Sequence, residues 1–308
     1  MEEQMEEIIN VEHLSKSFGS LKAVDDLSLS VHKGELYAFL GVNGAGKSTT
    51  INILCGQLSK DQGKVFISGH DLDKDRDLIK RKLGVVFQNS VLDSKLSVYD
   101  NLVSRASLYG IKGQELKDRL EELSELLDFG DIRKRTVGKL SGGQRRRIDV
   151  ARALVHSPEI LILDEPTTGL DPQTRSRLWS VVHNLQTEKK MTVFLTTHYR
   201  EEASDADFVA ILDSGKIAVE GTPVELKNKF TGDYVTLYHV AEEDIKPLHL
   251  PFEKRQDGFR IRVRNTQEAR DLVIHYPQLF TDFEITKGKR DDVFLAVTGK
   301  KLEGGRRK

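Results

Sequence analysis

At 308 residues the chain is long enough for one large domain and a small second one, and 38% apolar with 31% charged residues suits a folded protein with a charged surface. With 47 basic against 48 acidic residues the net charge is -1, so no global field recruits nucleic acid, and no apolar run approaches the length of a membrane span. The acidic start Met1–Glu7 is the reverse of a secretory signal, and the single Cys55 excludes an intramolecular disulfide; both lead us to expect a cytoplasmic protein.

In chain order, residues 8–35 read as short antiparallel strands. Ile8–Val11 leads to a turn at Phe18-Gly19-Ser20, and Leu27–Val31 alternates with period two. Phe18 falls on a short polar loop, where its ring either stacks on an adenine face or packs on the surface. Leu36–Leu40 is an apolar run of the kind that makes a buried parallel strand. It runs into Gly41-Val42-Asn43-Gly44-Ala45-Gly46-Lys47-Ser48-Thr49, which fits G-x-x-x-x-G-K-[ST]. Glycines let successive N–H groups turn toward phosphate oxygens, and a helix expected from Thr49 onward aims its positive end at the same anion. Lys47 then reaches the β- and γ-phosphates, and the Ser48 hydroxyl ligates Mg²⁺. Strand, loop and helix in this order predict a nucleotide site.

Lys64–Gly69 is a further strand, 76–82 a charged helix and Leu83–Phe87 a short buried strand ending at Gln88, on the side where α/β folds bind ligands. From Ser97 to Val155 the pattern is helical, with Leu116, Leu120, Leu123 and Leu127 on one face. This insertion ends in Leu140-Ser141-Gly142-Gly143-Gln144, a helix start with Ser141 as N-cap and two glycines that permit close approach to an anion. Ile160–Leu163 is continuously apolar and delivers Asp164 and Glu165. Neighbours at a strand end point to opposite sides, so the two carboxylates take separate jobs. Asp164 holds Mg²⁺ through its water shell and Glu165 polarises an attacking water. After a Gly169-Leu170-Asp171-Pro172 turn and a helix through Gln186, the strand Met191–Thr197 delivers His198 on the ligand side. Phe208–Leu212 and Lys216–Glu220 form a closing hairpin, and a helix covers Pro223–Phe230. Beyond a boundary at 231 we expect strands at Tyr234–Val240 and Gly258–Arg264, a helix at Gln267–His275, an extended piece at Phe283–Thr286, a short helix at Asp292–Thr298 and a disordered tail over 301–308.

With these elements assembled, residues 7–231 resemble the nucleotide-binding subunit of an ABC transporter. The resemblance rests on Gly41–Thr49 (Walker A), Gln88 (Q-loop), Leu140–Gln144 (the LSGGQ signature), Ile160–Pro166 (Walker B and its glutamate), Gly169–Asp171 (D-loop) and His198 (H-loop). Phe18 matches the family's adenine-stacking aromatic, and Val42 stands where a proline is usual. The resemblance implies an α/β P-loop NTPase with an antiparallel β subdomain and a helical subdomain at about 97–155, followed by a small α+β domain over 232–300. The Ser141–Arg147 run and the ending Asp292–Gly299 are similar to ATPase subunits of daunorubicin-type drug exporters, which carry such an extension.

The resemblance further implies ATP and Mg²⁺ as ligands and a head-to-tail dimer. Each ATP then lies between one subunit's Walker A and the other's Ser141, Gly142, Gly143 and Gln144, near Asp171. Glu165 orients the water, His198 contacts the γ-phosphate, and Gln88 senses γ-phosphate and Mg²⁺ while Asn89–Leu96 links to a separate polytopic permease at the inner face of the membrane. No nucleic acid partner is expected. The alternative function is a soluble ABC ATPase acting on ribosomes or DNA, although the chain has neither a second ATPase unit nor a long coiled-coil insertion. A scaffold that binds without turnover is disfavoured by Glu165 and His198.

Overall fold

The structure, a computed structural model, describes residues 6–287 except 204, together with 293, 294 and 297–299. The short helix expected over 292–298 lies only partly within these residues, and the tail over 301–308 lies outside them. The chain divides into two compact units, Met1–Ala218 and Val219–Lys308.

The first unit contains two sheets. β1 (Glu7–Phe18) and β2 (Leu21–His32) form a long antiparallel hairpin, with β4 (Gln62–Ile67) and β5 (His70–Asp71) added in the order β2-β1-β4-β5. The strands are longer than expected, and Phe18 is the last residue of β1, paired with Leu21, rather than a loop residue. The second sheet is built on β3 (Leu36–Gly41), β6 (Leu83–Val86), β7 (Ile160–Asp164), β8 (Thr192–Thr197) and β9 (Phe208–Asp213), with β10 (Lys216–Gly221) at its edge in the order β10-β9-β3-β8-β7-β6. Every residue of β3, β7 and β8 is buried, as an uninterrupted apolar strand requires when both sheet faces are covered. Tyr37, Phe39 and Phe194 form a ring cluster at its centre, with centroids 5.4–5.6 Å apart across β3 and β8.

Five of these strands run parallel, so their carboxyl ends share one edge. The register pairs Leu40 with Thr197, Asp164 with Thr196, and Val86 with Leu163. Whatever follows Gly41, Val86, Asp164 and Thr197 is therefore brought together. Helices α1 (Lys47–Leu54) and α2 (Arg76–Lys82) flank β4 and β5 in sequence. Helices α3 (Val98–Ser107), α4 (Gly113–Leu127) and α5 (Gly142–Leu154) make the helical insertion, with Leu116, Leu120, Leu123 and Leu127 buried on α4. Helices α6 (Pro172–Thr187) and α7 (Arg200–Ala203) flank β8 in sequence.

The second unit opens with α8 (Pro223–Phe230), capped by Thr222 and Glu225. It then runs β11 (Asp233–Tyr238), α9 (Glu242–Ile245), β12 (Phe252–Arg255), β13 (Gly258–Val263), α10 (Thr266–His275) and β14 (Phe283–Lys287). The strand order β12-β13-β11-β14 with β-α-β-β-α-β connectivity is the ferredoxin-like arrangement. Its core is Val235, Leu237, Phe259, Ile261 and Val263 from one sheet face, with Ile245, Ala269, Leu279 and Phe280. β12 and α9 were not expected from the sequence.

Candidate functional site

The chain leaves β3 at Gly41 and turns through Val42–Ala45 into α1. Gly44 and Gly46 have φ of 82° and 109°, and a Cβ on Gly46 would lie 2.3 Å from the Ala23 carbonyl oxygen. That turn feeds the helix directly, so α1 starts at Lys47, two residues before the expected Thr49. No side chain caps α1 at Gly46, which leaves its first N–H groups available to an anion. Lys47 is buried, and its Nζ donates to the carbonyls of Gly41 (2.7 Å) and Val42 (3.2 Å). The same nitrogen lies 3.4 Å from Glu165 Oε1. Burial lowers the Lys47 pKa, and the Glu165 carboxylate opposes that shift. Val42 takes part through its carbonyl, so the missing proline removes no contact.

Across the sheet edge, Thr196 Oγ1 donates to Asp164 Oδ1 at 2.5 Å and accepts the Glu165 N–H at 3.1 Å. Glu165 does not follow the alternation expected of it. The strand stops at Asp164, and Glu165 adopts a left-handed backbone with φ of 45°. Its carboxylate therefore lies beside Lys47, and Oε2 accepts from Gln88 Nε2 (3.2 Å) and Thr168 Oγ1 (3.3 Å). His198 Nδ1 is 3.2 Å from the same oxygen but is not aligned as a hydrogen bond, which leaves a buried ring nitrogen without a hydrogen-bond partner.

These residues border a groove of about 390 Å³, a size suited to a small molecule, lined by Phe18, Leu21, Ala23, Asn43, Gly44, Gly46–Thr49, Gln88 and Glu165. Phe18 is 50% exposed and fills no core, so its face is available to a flat ligand. The donor set Ser48, Gln88 and Asp164 offers oxygen atoms of the kind a hard cation takes. Among the described residues no three His, Cys, Asp or Glu side chains converge on a metal position.

The remaining sequence candidates form a second cluster. Ser141 caps α5 by accepting the Gln144 N–H at 3.2 Å, while Gln144 Oε1 accepts the Ser141 N–H at 3.0 Å. The N–H groups of Gly142 and Gly143 fall in the first turn, where a helix offers no acceptor. Gly143 abuts Thr174, since a Cβ there would lie 2.5 Å from the threonine methyl. Thr174 in turn donates its N–H (3.0 Å) and hydroxyl (2.6 Å) to Asp171. The hydroxyl bond, with the N–H bond behind it, holds the Asp171 carboxyl below its usual pKa. Ser141 and Gly142 are exposed, and neither they, Gly143, Gln144 nor Asp171 lines the phosphate-loop groove.

Several buried polar residues were missed from the sequence. Arg146 and Asp149 on α5 are buried, as is Glu202 on α7. Glu202 accepts the hydroxyls of Thr167 and Thr197, which flank Glu165 and His198 in sequence, and burial raises its pKa against those two bonds. The one available signal was an Arg-x-x-Asp pair inside an otherwise apolar helix.

The chain matches the family described as ABC transporter over residues 24–168. It is similar to the daunorubicin resistance ATP-binding protein DrrA3 of Streptomyces coeruleorubidus, 34% identical over 94% of this chain and 96% of that protein. It is also similar to the linearmycin resistance ATP-binding protein LnrL of Bacillus subtilis (strain 168), 33% identical over 89% of this chain and 85% of that protein. Among solved structures, a dimeric ATP-binding cassette in a post-hydrolysis state bound to ADP and Pi superposes with a TM-score of 0.63 at 27% identity, covering 70% of this chain and 98% of that one.

Proposed function

Because this chain belongs to the ABC transporter ATP-binding proteins and is an ATPase of that family, we propose that two copies close head to tail around ATP. Closure and hydrolysis then drive export of a drug or other amphipathic compound through a separate membrane permease. The observation that carries the dimer is the division of the site. One cluster holds the phosphate loop, Gln88, Glu165 and His198; the other holds the exposed start of α5 with Thr174 and Asp171. Each presents a helix N-terminus with free N–H groups, and one triphosphate can bridge them only if the second cluster comes from another copy. The solved dimeric cassette bound to ADP and Pi supports that reading.

In the closed site Lys47 would exchange the Gly41 and Val42 carbonyls for the β- and γ-phosphates. Ser48, Gln88 and Asp164 would hold Mg²⁺, which when bound neutralises charge on the phosphate oxygens. Glu165 takes the proton of the attacking water, His198 completes the contact with the γ-phosphate, and Phe18 stacks on adenine. We place the permease contact on Asn89–Leu96, where Val91 and Leu96 are exposed apolar side chains. That contact would hold the chain at the cytoplasmic face of the membrane. No helix among the described residues is long and apolar enough to cross a membrane. The resistance functions in the names of the two relatives support export, and residues 232–300 would be an accessory domain.

Mixing two variants tests the dimer. Ser141→Arg blocks the α5 start but spares the groove, so the isolated subunit should bind ATP normally and fail to turn over. Lys47→Ala should lose binding. In a mixed dimer both lesions fall on one composite site and a wild-type site is rebuilt, so ATPase activity returns in part. If Ser141→Arg weakens ATP binding by the isolated subunit as much as Lys47→Ala does, the site is made within one chain and the proposal fails.

A further inference from the structure

One turn inside the N-terminus of α5, Arg146 and Asp149 share a helix face and are only 7% and 5% exposed. Buried charges are costly unless bonded, so what they bond to is informative. Arg146 spends three nitrogens on four main-chain carbonyls. Nε donates to Pro166 O (2.7 Å) and Nη1 to Phe87 O (2.5 Å). Nη2 lies between Asp164 O (3.3 Å) and Glu165 O (3.4 Å). Phe87 immediately precedes Gln88, and the other three carbonyls belong to the turn that carries Asp164 and Glu165. Asp149 Oδ1 accepts from Ser90 Oγ at 3.0 Å, two residues beyond Gln88. One helix thus grips Gln88 from both sides and holds the backbone around Glu165.

We infer that Arg146 is a positioning residue for ATP hydrolysis, fixing the Gln88 loop and the Glu165 turn relative to each other through their carbonyls. The inference rests on the catalytic reading of Glu165 and Gln88 given above. The planar fork of a guanidinium reaches both segments at once, whereas a single ammonium cannot. The left-handed backbone of Glu165 makes that grip matter, because a turn held this way has no strand ladder beyond Asp164 to fix it. Arg146 donates to carbonyls only and needs no contact with nucleotide or water. A displacement of about 1 Å at a reacting group costs on the order of a hundredfold in rate, which sets the scale of the effect.

The test is Arg146→Lys in the full-length protein, with kcat counted per ATP-binding site, ATP affinity by equilibrium titration, and Tm. We expect kcat to fall about ten- to hundredfold with ATP affinity and Tm nearly unchanged. A merely structural arginine would lower Tm and the folded fraction while leaving kcat per binding site intact, and that result overturns the inference. Glu165→Gln is run in parallel. If it keeps turnover, the catalytic reading of Glu165 has failed; if it is inactive while Arg146→Lys turns over normally, the Arg146 inference alone has failed. Should Arg146→Lys not fold, Ser90→Ala decides in its place. It loosens the far side of Gln88 without touching the core, and kcat reduced about threefold supports the grip, whereas unchanged kcat refutes it.

Discussion

Glu165→Gln should do two things at once, and the second follows from where Lys47 rests. With both side chains buried, the 3.4 Å separation of Lys47 Nζ and Glu165 Oε1 corresponds to an attraction of about 5 kcal/mol at an effective dielectric of about 20. ATP must draw Lys47 away from that carboxylate as well as from the Gly41 and Val42 carbonyls. Desolvation of the pair offsets most of the attraction, so we take about 1.4 kcal/mol as the net competition, a factor of ten in affinity. The glutamine keeps the shape and the bond to Gln88 but not the charge. ATP should therefore bind about tenfold more tightly, while loss of the base lowers kcat by about 10²–10⁴. Equilibrium titration with a fluorescent ATP analogue and steady-state phosphate release measure the two effects separately, and gel filtration with ATP should show a trapped dimer. A tenfold loss of affinity would refute the reasoning, because Glu165 would then be supporting nucleotide binding instead of competing for Lys47.

Two further predictions concern the scaffold. Gly46→Ala places a Cβ against Ala23 O at a φ of 109°, so it should cost about 2 kcal/mol of stability and at least about tenfold in ATP affinity, read by thermal unfolding and titration. His156 stacks on Tyr109 at 3.9 Å and bonds Leu83 O through Nε2; burial, with Arg105 adding to it, depresses its pKa from 6.5 to about 4. The folded state then resists protonation that the unfolded state accepts. Its penalty is absent above pH 6.5 and grows as pH falls toward 4, by about 2 kcal/mol after allowance for partial exposure. His156→Gln should flatten the stability profile across that window in denaturant titrations, and an unchanged slope would show that His156 is not its source.

The parallel sheet was legible because its strands need no periodicity to be seen: Leu36–Leu40 and Ile160–Leu163 are uninterrupted apolar runs, and only burial on both faces accounts for them. The β1–β2 hairpin was read as fragments for a physical reason. Its register shifts between Val11 and Leu14, and His13 and Asp26 have left-handed φ of 51° and 57°, so the inside-outside alternation breaks where the strands continue. β12 was missed because Phe252-Glu253-Lys254-Arg255 is an edge strand with three charged, exposed residues, and its pairing with β13 leaves no local pattern.

The site divides along the same line. Lys47, Gln88, Asp164, Glu165 and His198 could be placed from sequence because parallel strands deliver their next residue to a common edge, a rule that needs only strand positions. Arg146 could not, because its partners are carbonyls 18–20 and 59 residues away, and a carbonyl carries no sequence signature. The expected opposition of Asp164 and Glu165 failed at the same spot. Alternation holds only while the strand does, and here the strand stops between them. A non-glycine residue in the left-handed region costs about 1–2 kcal/mol, so the turn persists only where its surroundings enforce it. The Thr196 bond to the Glu165 N–H and the Arg146 bonds to the carbonyls of Asp164, Glu165 and Pro166 supply that enforcement. The carboxylate reaches Lys47 and Gln88 because partners distant in sequence hold its backbone where the strand's own ladder has ended.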